Sequence, residues 1–344
     1  MSSSIRQPSD MLVTVFGGSG FVGRHVVRAL ARRGYRIRVA VRRPDLAFHL
    51  QPLGNVGQIH AVQANLRNRP SVVRAIAGAD IVVNLVGIMH QGGRQRFDAV
   101  HGFGARAVAE AASAAGVERL VHMSALGVSA DSGSAYARSK ANAEAAVRDA
   151  FPGAVILRPS VMFGPEDQFF NRFAQLATFM PVLPLVGAET RMQPVFVGDV
   201  AAAVVKAIEG AATPGATYEL GGPETLTVRE AVKFTLDAIR RRRPVVGLPF
   251  SLARLQGLVL EIAHTLSLGL LPDSLRLTRD QVELLRHDNV VSDAAIAERR
   301  TLADLGVAAS GFDAIVPTYL WRFRQKGQFE PPPQVGSGAH GAEV

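Results

Sequence analysis

Two residue patterns in this 344-residue chain could do chemistry. Tyr136 and Lys140 stand four apart, Y-x-x-x-K, and on a helix that spacing puts them on one face. A lysine ammonium close to a phenol lowers the phenol's pKa, and such a tyrosine can pass a proton to or from a carbonyl or alcohol while hydride moves. Ser124 ends the strand-like run just upstream and is the neighbouring hydroxyl that could serve the same reaction. The second pattern is G-x-x-G-x-x-G at Gly17, Gly20 and Gly23. Glycines at that spacing allow a sharp strand-to-helix turn and let backbone N–H groups, here including those of Phe21 and Val22, come close to a pyrophosphate at the positive end of the next helix.

These residues need elements to hold them. Residues 11–16 are a short apolar, β-rich run that reads as a buried strand, and residues 24–33 carry helical spacing, with Val26, Val27, Leu30 and Ala31 on one face and Gly34 closing the helix. Further strands are expected at 36–41, 60–63, 80–86, 120–123 and 154–157, and helices at 71–77, 97–115 and 136–150. Strands alternating with helices make an α/β fold, a doubly wound parallel sheet of the Rossmann type with a smaller, mostly helical C-terminal lobe. The expected division is a polar tail at 1–10, a nucleotide domain from 11–165 plus about 190–222, a lobe from about 166–189 plus 223–328, and a disordered Pro/Gly-rich tail at 329–344.

The end of the second strand selects the nucleotide. An Asp or Glu there would serve the ribose hydroxyls of NAD; this chain has Arg42 and Arg43, whose guanidinium groups suit a 2′-phosphate, so NADP(H) is favoured over NAD(H). The alternative is an arginine pair in solvent at a strand end. Asn65 and Leu66 after the third strand are expected beside the adenine. Leu85, Val86 and Gly87 at the end of the fourth strand, and Pro159 after the sixth, complete the expected cofactor contacts together with Tyr136 and Lys140.

With those motifs in place the chain resembles an extended short-chain dehydrogenase/reductase. Its residues 15–24, 99–101, 136–140, 158–173 and 193–200 look closest to the branch formed by the NADPH-binding accessory subunits of respiratory complex I. The resemblance covers roughly residues 11–240 and weakens beyond. It implies that Lys140 reaches the nicotinamide ribose, and that Arg158 and Pro159 lie near the nicotinamide. It also marks departures. The superfamily's substrate-binding Ser or Thr falls on Ala125, with Ser124 one residue early, and the helical Asn of the proton relay is replaced by His101. Alanine offers no donor to a developing oxyanion. Nucleotide binding with little or no turnover is therefore the leading expectation. An active NADPH-dependent reductase, epimerase or dehydratase using Tyr136 and Lys140 is the alternative, and an NADPH-sensing regulator a third. Asp167 and Asp199 read as structural.

Composition removes other classes. The chain has no cysteine, which excludes disulfides and thiolate metal sites, and its histidines lack metal spacing, so no metal is expected. The net charge of +9 comes without a zinc-finger or RRM pattern, so nucleic acid is not an expected partner. The opening residues do not read as a secretory signal. The positive charge concentrates at Arg240, Arg241, Arg242 and Arg243, ahead of an apolar stretch to 271 in which Leu255, Leu258, Val259, Ile262 and Leu266 share a helical face. The segment 240–275 suits an anionic membrane surface or a partner, and equally a helix packed on the protein's own core. The expected partners are peripheral-arm subunits of complex I, and the expected place is the cytoplasmic side of the inner membrane, or the cytoplasm for a free reductase.

Overall fold

The structure, a computed structural model, describes residues 6–93, 95–250 and 278–329. Seven parallel strands form its central sheet: β1 (Leu12–Phe16), β2 (Arg36–Val41), β3 (Ile59–Gln63), β4 (Ile81–Asn84), β5 (Arg119–Met123), β6 (Val155–Pro159) and β7 (Thr217–Leu220). Their order is β7-β6-β5-β4-β1-β2-β3. β1 pairs on one side with β2, Val13 opposite Ile37, and on the other with β4, Val13 opposite Ile81. Strands covered on both faces need apolar side chains in both directions, which is why they read as continuous Val/Ile/Leu runs.

Helices α1 (Phe21–Arg32) and α6 (Val197–Ile208) cover one face, where Val13, Val15, Val26, Leu30, Val200 and Val204 share a core. Helices α2 (Arg69–Ile76), α3 (Phe103–Ala114) and α4 (Ala135–Ala150) cover the other, on Phe16, Val82 and Leu120. The chain leaves β1 and β4 toward opposite faces, so a crevice opens between their C-terminal ends, the place where such sheets bind ligands. Alanines 105, 109, 112 and 143 let α3 and α4 lie close to this face.

Element ends differ from the sequence reading for local reasons. The fourth strand stops at Asn84, because the Asn84 side chain accepts the N–H of Val86 (3.2 Å) and bends the chain into the crevice. The expected helix over 97–115 opens with a π-turn at Asp98–Gly102 before α3 begins. The first ten residues are not a free tail from Arg6 onward. Arg6 pairs with Asp80 (2.7 Å) and Glu118 (2.8 Å), and Pro8–Asp10 forms a 3-10 turn.

The lobe is built on α5 (Phe170–Phe179) and α7 (Val228–Ala238), with a parallel pair of short strands, Leu183–Val186 and Val245–Leu248, and short helices after residue 292. Phe163, Phe170, Leu185, Val232, Leu236 and Leu320 form its core. α7 starts in a capping box. The Thr227 hydroxyl accepts the Glu230 N–H, and the Glu230 carboxylate accepts the Thr227 N–H (2.7 Å). Asp199 accepts from the backbone and hydroxyl of Ser310, and Asp167 accepts from three backbone N–H groups and the Tyr319 hydroxyl, which makes both structural.

Two of the four consecutive arginines serve the lobe itself: Arg241 donates to the Phe323 carbonyl and Arg243 to that of Ala177, both at 3.1 Å. The apolar face at Leu255–Leu266 lies outside the described residues, as does the expected tail apart from Phe329, which closes a 3-10 turn.

One buried ion network ties α4 to the sheet. Glu144 is almost fully buried. Arg158 of β6 grips its carboxylate through two bonds (2.8 and 2.7 Å), Arg148 adds a third (3.0 Å), and Arg158 also faces Glu219 of β7 at 3.7 Å. Burial works to raise the Glu144 carboxyl, but the guanidinium bonds outweigh it and its pKa falls below the usual range. Removing one partner of such a pair strands the other charge. Glu144→Ala should therefore cost about 3 kcal/mol of unfolding free energy in urea denaturation; a loss below about 0.5 kcal/mol would show the pair to be dispensable.

Candidate functional site

The glycine turn comes first, because it sets how closely anything can approach the sheet. Gly17 adopts φ +78°, a left-handed conformation that opens the turn after β1. A Cβ on Gly23 would stand 2.3 Å from the Gly17 carbonyl oxygen and 2.5 Å from the Gly18 carbonyl carbon, so α1 can seat against the turn only with glycine there. Gly20 is the N-cap of α1 and caps with no side chain, so the N–H groups of Phe21, Val22 and Gly23 point into the crevice mouth with the helix dipole behind them. The tight turn and the free N–H groups at the helix start fit a pyrophosphate.

The opposite wall comes from β4. Leu85 donates its N–H to the Phe16 carbonyl (3.0 Å), and Val86 packs against Gly17. A Cβ built on Gly87 would lie 3.3 Å from Lys140 Nζ, so Gly87 joins the turn to the lysine. Beyond the edge of β2, Arg42 and Arg43 line a cavity of about 460 Å³ with Ser19, Val41 and Leu46. Arg43 also pairs with Asp45 (2.7 Å), a compensating charge that the arginine pair alone did not announce. Asn65 turns its Oδ1 to the Arg67 N–H (3.1 Å), and Leu66 is buried against Gly104 of α3, so Leu66 belongs to the core as much as to the site.

Tyr136 and Lys140 project from one face of α4, both buried. The tyrosine ring meets Phe97 and His101 edge-on, with centroids 5.9 and 5.6 Å away. Lys140 donates to the Met123 carbonyl at 3.0 Å, and burial brings its pKa down to about 8, with Glu144 opposing the shift. The phenol departs from expectation. Burial and the Asp280 carboxylate push Tyr136 up to about 12, because the lysine is engaged by a backbone carbonyl and the phenol lies in apolar, aromatic surroundings.

His101 shows why a histidine can take the helical asparagine's place. Its Nε2 accepts the Ile88 N–H (3.0 Å), so the proton sits on Nδ1, which donates to Ser139 Oγ (2.8 Å); Ser139 in turn donates to the Tyr136 carbonyl (2.7 Å). The π-turn carries this ring into line with α4. Beneath it the Asn84 amide donates to His122 Nδ1 (3.2 Å), which leaves His122 Nε2 buried without a partner among the described residues. Ser124 is buried on this side too. Its hydroxyl falls short of a formed hydrogen bond yet leans toward Glu144 closely enough to help hold that carboxyl low. Arg158, expected near the nicotinamide, is instead committed to Glu144 and Glu219, while Pro159 is buried at the end of β6 and accepts the Leu126 N–H (2.9 Å). Asp280, 144 residues from Tyr136, reaches the start of α4 and had no local signal in the sequence.

Residues 13–221 match the NAD dependent epimerase/dehydratase family. The chain belongs to that family. It is 36% identical over 323 residues to "NADH dehydrogenase [ubiquinone] 1 alpha subcomplex subunit 9, mitochondrial" of Arabidopsis thaliana, covering 93% of this chain and 79% of the plant protein. It is 38% identical over 194 residues to "Ceramide reductase" of Caulobacter vibrioides, covering 56% of this chain and 60% of that one. Among solved structures, an NADPH-dependent quinone oxidoreductase of Escherichia coli complexed with NADPH superposes with a TM-score of 0.69 at 19% identity, over 90% of this chain and 99% of that one, which is a likeness of fold. Family and cradle together make this a nicotinamide dinucleotide site. The glycine turn and α1 would hold the pyrophosphate, and Tyr136 and Lys140 the nicotinamide half, where the bound cofactor supplies hydride chemistry. No helix among the described residues is long and apolar enough to cross a membrane.

The two imidazoles make a pH prediction. Burial, with Lys140 nearby, brings His101 and His122 each down to about 3. Between pH 6.5 and 3 the unfolded chain therefore binds more protons than the folded one, so stability falls as pH drops through that window, by at most about 1.4 kcal/mol per pH unit for each ring. Thermal melts from pH 7 to 5, above the main carboxylate range, should show a steadily falling midpoint; a flat profile would mean that the rings are not held neutral.

Proposed function

We propose that the protein is an NADP(H)-binding accessory subunit of respiratory complex I, which holds its nucleotide structurally with little or no turnover. The observation that carries this reading is the 36% identity with the plant alpha subcomplex subunit 9 along 93% of the chain, well past the nucleotide domain and into the lobe. The site supports it. A Cβ at Gly23 would collide with the glycine turn, so the close approach a dinucleotide needs is preserved, whereas the superfamily's Ser/Thr position falls on Ala125 and the Ser124 hydroxyl is buried without a hydrogen-bond partner among the described residues. Tyr136 and Lys140 then serve to hold the nicotinamide ribose. The protein would sit on the cytoplasmic side of the inner membrane beside the peripheral arm, with exposed Arg242 toward anionic lipid headgroups.

The 2′-phosphate of NADP(H) falls to Arg42 and Arg43. The exposed Arg43–Asp45 pair is weak, because solvent and salt screen it. A phosphate accepting charge-assisted bonds of about 1.5–3 kcal/mol each can displace it. Arg42→Ala with Arg43→Ala should weaken NADPH binding tenfold or more, on the order of one such bond, and leave NADH nearly unchanged. Equal losses for both nucleotides would remove the 2′-phosphate from this cavity.

The reading as a whole is tested by gentle affinity purification from detergent-solubilised membranes of the native host. Core complex I subunits should co-purify in stoichiometric amounts. A lone, soluble, nucleotide-loaded protein would sink the accessory-subunit reading and favour the second one, an NADPH-dependent reductase, epimerase or dehydratase. Its support is the retained Tyr136/Lys140 pair together with the 38% identity to the Caulobacter ceramide reductase.

A further inference from the structure

We infer that Asp280 is a positioning residue for Tyr136, and that through it the segment Thr278–Asn289 and the nucleotide site stabilise each other. The inference rests on nucleotide binding at Tyr136 and Lys140, as read above. A helix begins with N–H groups that no residue within it can satisfy. α4 provides for one of its own, since the hydroxyl of its N-cap Ser134 accepts the Ala137 N–H (3.2 Å). The next two are satisfied from the far end of the chain. Asp280 Oδ1 accepts the Ala135 N–H (2.6 Å), and Oδ2 accepts both the Tyr136 N–H (3.1 Å) and the Ser134 hydroxyl (2.9 Å). One carboxylate thus takes three donors at the positive end of a 16-residue helix, where a negative charge is favoured.

The carboxylate is itself held at both ends of its segment. Asp280 lies in the first turn of α8 (Arg279–Leu284), a helix started by a capping box in which Thr278 Oγ1 accepts the Gln281 N–H (3.2 Å) and Gln281 Oε1 accepts the Thr278 N–H (3.3 Å). At the other end Asn289 Oδ1 accepts the Ser160 hydroxyl (2.6 Å) and the Val161 N–H (3.2 Å), and Asn289 Nδ2 donates to the Leu126 carbonyl (3.4 Å). The segment therefore spans from the start of α4 to the chain just past β5 and β6. It bonds to the start of α4 through Asp280 and to the chain at Leu126, Ser160 and Val161 through Asn289. A nucleotide pressed against Tyr136 and Lys140 depends on where α4 begins, and that point is set by the Asp280 carboxylate. Binding free energies linked in this way act in both directions.

The test uses the full chain with NADPH as the probe, following affinity by nucleotide fluorescence and backbone order by hydrogen exchange. In the unaltered protein NADPH should slow exchange at Ala135 and Tyr136 and also across residues 278–289. Asp280→Ala should weaken NADPH about fivefold, the size of a lost helix cap, and abolish the protection of 278–289 by NADPH. Asp280→Asn, which keeps one accepting oxygen, should recover most of both. A variant with Ala at 280 that binds NADPH as well as the unaltered chain, or still transmits protection to 278–289, overturns the inference, as does an Asn variant no better than the Ala one. Should Asp280→Ala fail to fold, Asn289→Ala removes the side-chain ties of the same segment to Ser160, Val161 and Leu126 without touching α4, and leaves its bonds to Arg191 and Gln193 in place. It must speed exchange at Ala135 and Tyr136 and weaken NADPH, and unchanged values there also overturn the coupling. An unaltered protein that binds no NADPH defeats the nucleotide reading itself, and that result is distinct from intact binding without coupling.

Discussion

The contact between Gly23 and the turn it faces is the constraint from which the rest follows. A helix whose first turn touches the backbone of the preceding loop can have no side chain at that contact, and only this closeness lets α1 lie over β1 while its N-terminus aims into the crevice. With α1 in place the order in which strands are added reverses between β1 and β4, Val86 closes on Gly17, and Gly87 carries the same wall across to Lys140. The cradle and the lysine are two ends of one packed surface.

Electrostatically the site is a low-dielectric layer between β4, β5 and α4, kept neutral wherever it can be. His101 and His122 are held uncharged, and Lys140 has its pKa drawn down by burial. The charge buried on Glu144 is matched by two arginines, and Lys140, still an ammonium at neutral pH, lies above it with Glu144 favouring its charged form. Such a layer suits tight, oriented holding of a nicotinamide and ribose. It is a poor setting for ionising Tyr136, because every neighbour that moves the phenol's pKa raises it.

Local signals account for most of what the sequence made legible. The glycine spacing, the apolar runs and the Tyr-Lys spacing are each encoded within a few residues, and each stands in the structure where the pattern placed it. What was hidden lies in long-range pairings. The commitment of Arg158 to Glu144, the neutralising Asp45 beside Arg43, and the reach of Asp280 to α4 depend on which elements the fold brings together. The π-turn at Asp98–Gly102 was hidden for another reason: nothing in Asp-Ala-Val-His-Gly separates a π-turn from the first turn of an α-helix.

The placement of Gly87 beside Lys140, where an added Cβ would stand 3.3 Å from Nζ, bears on how such a protein could change its role over evolutionary time. Because one glycine serves both the nucleotide wall and the lysine, chemistry cannot be removed from the β4 side without disturbing the lysine that would hold the ribose. On the β5 side the two are separable, since Ala125 carries no hydroxyl and lies outside the glycine turn at Gly17–Gly23.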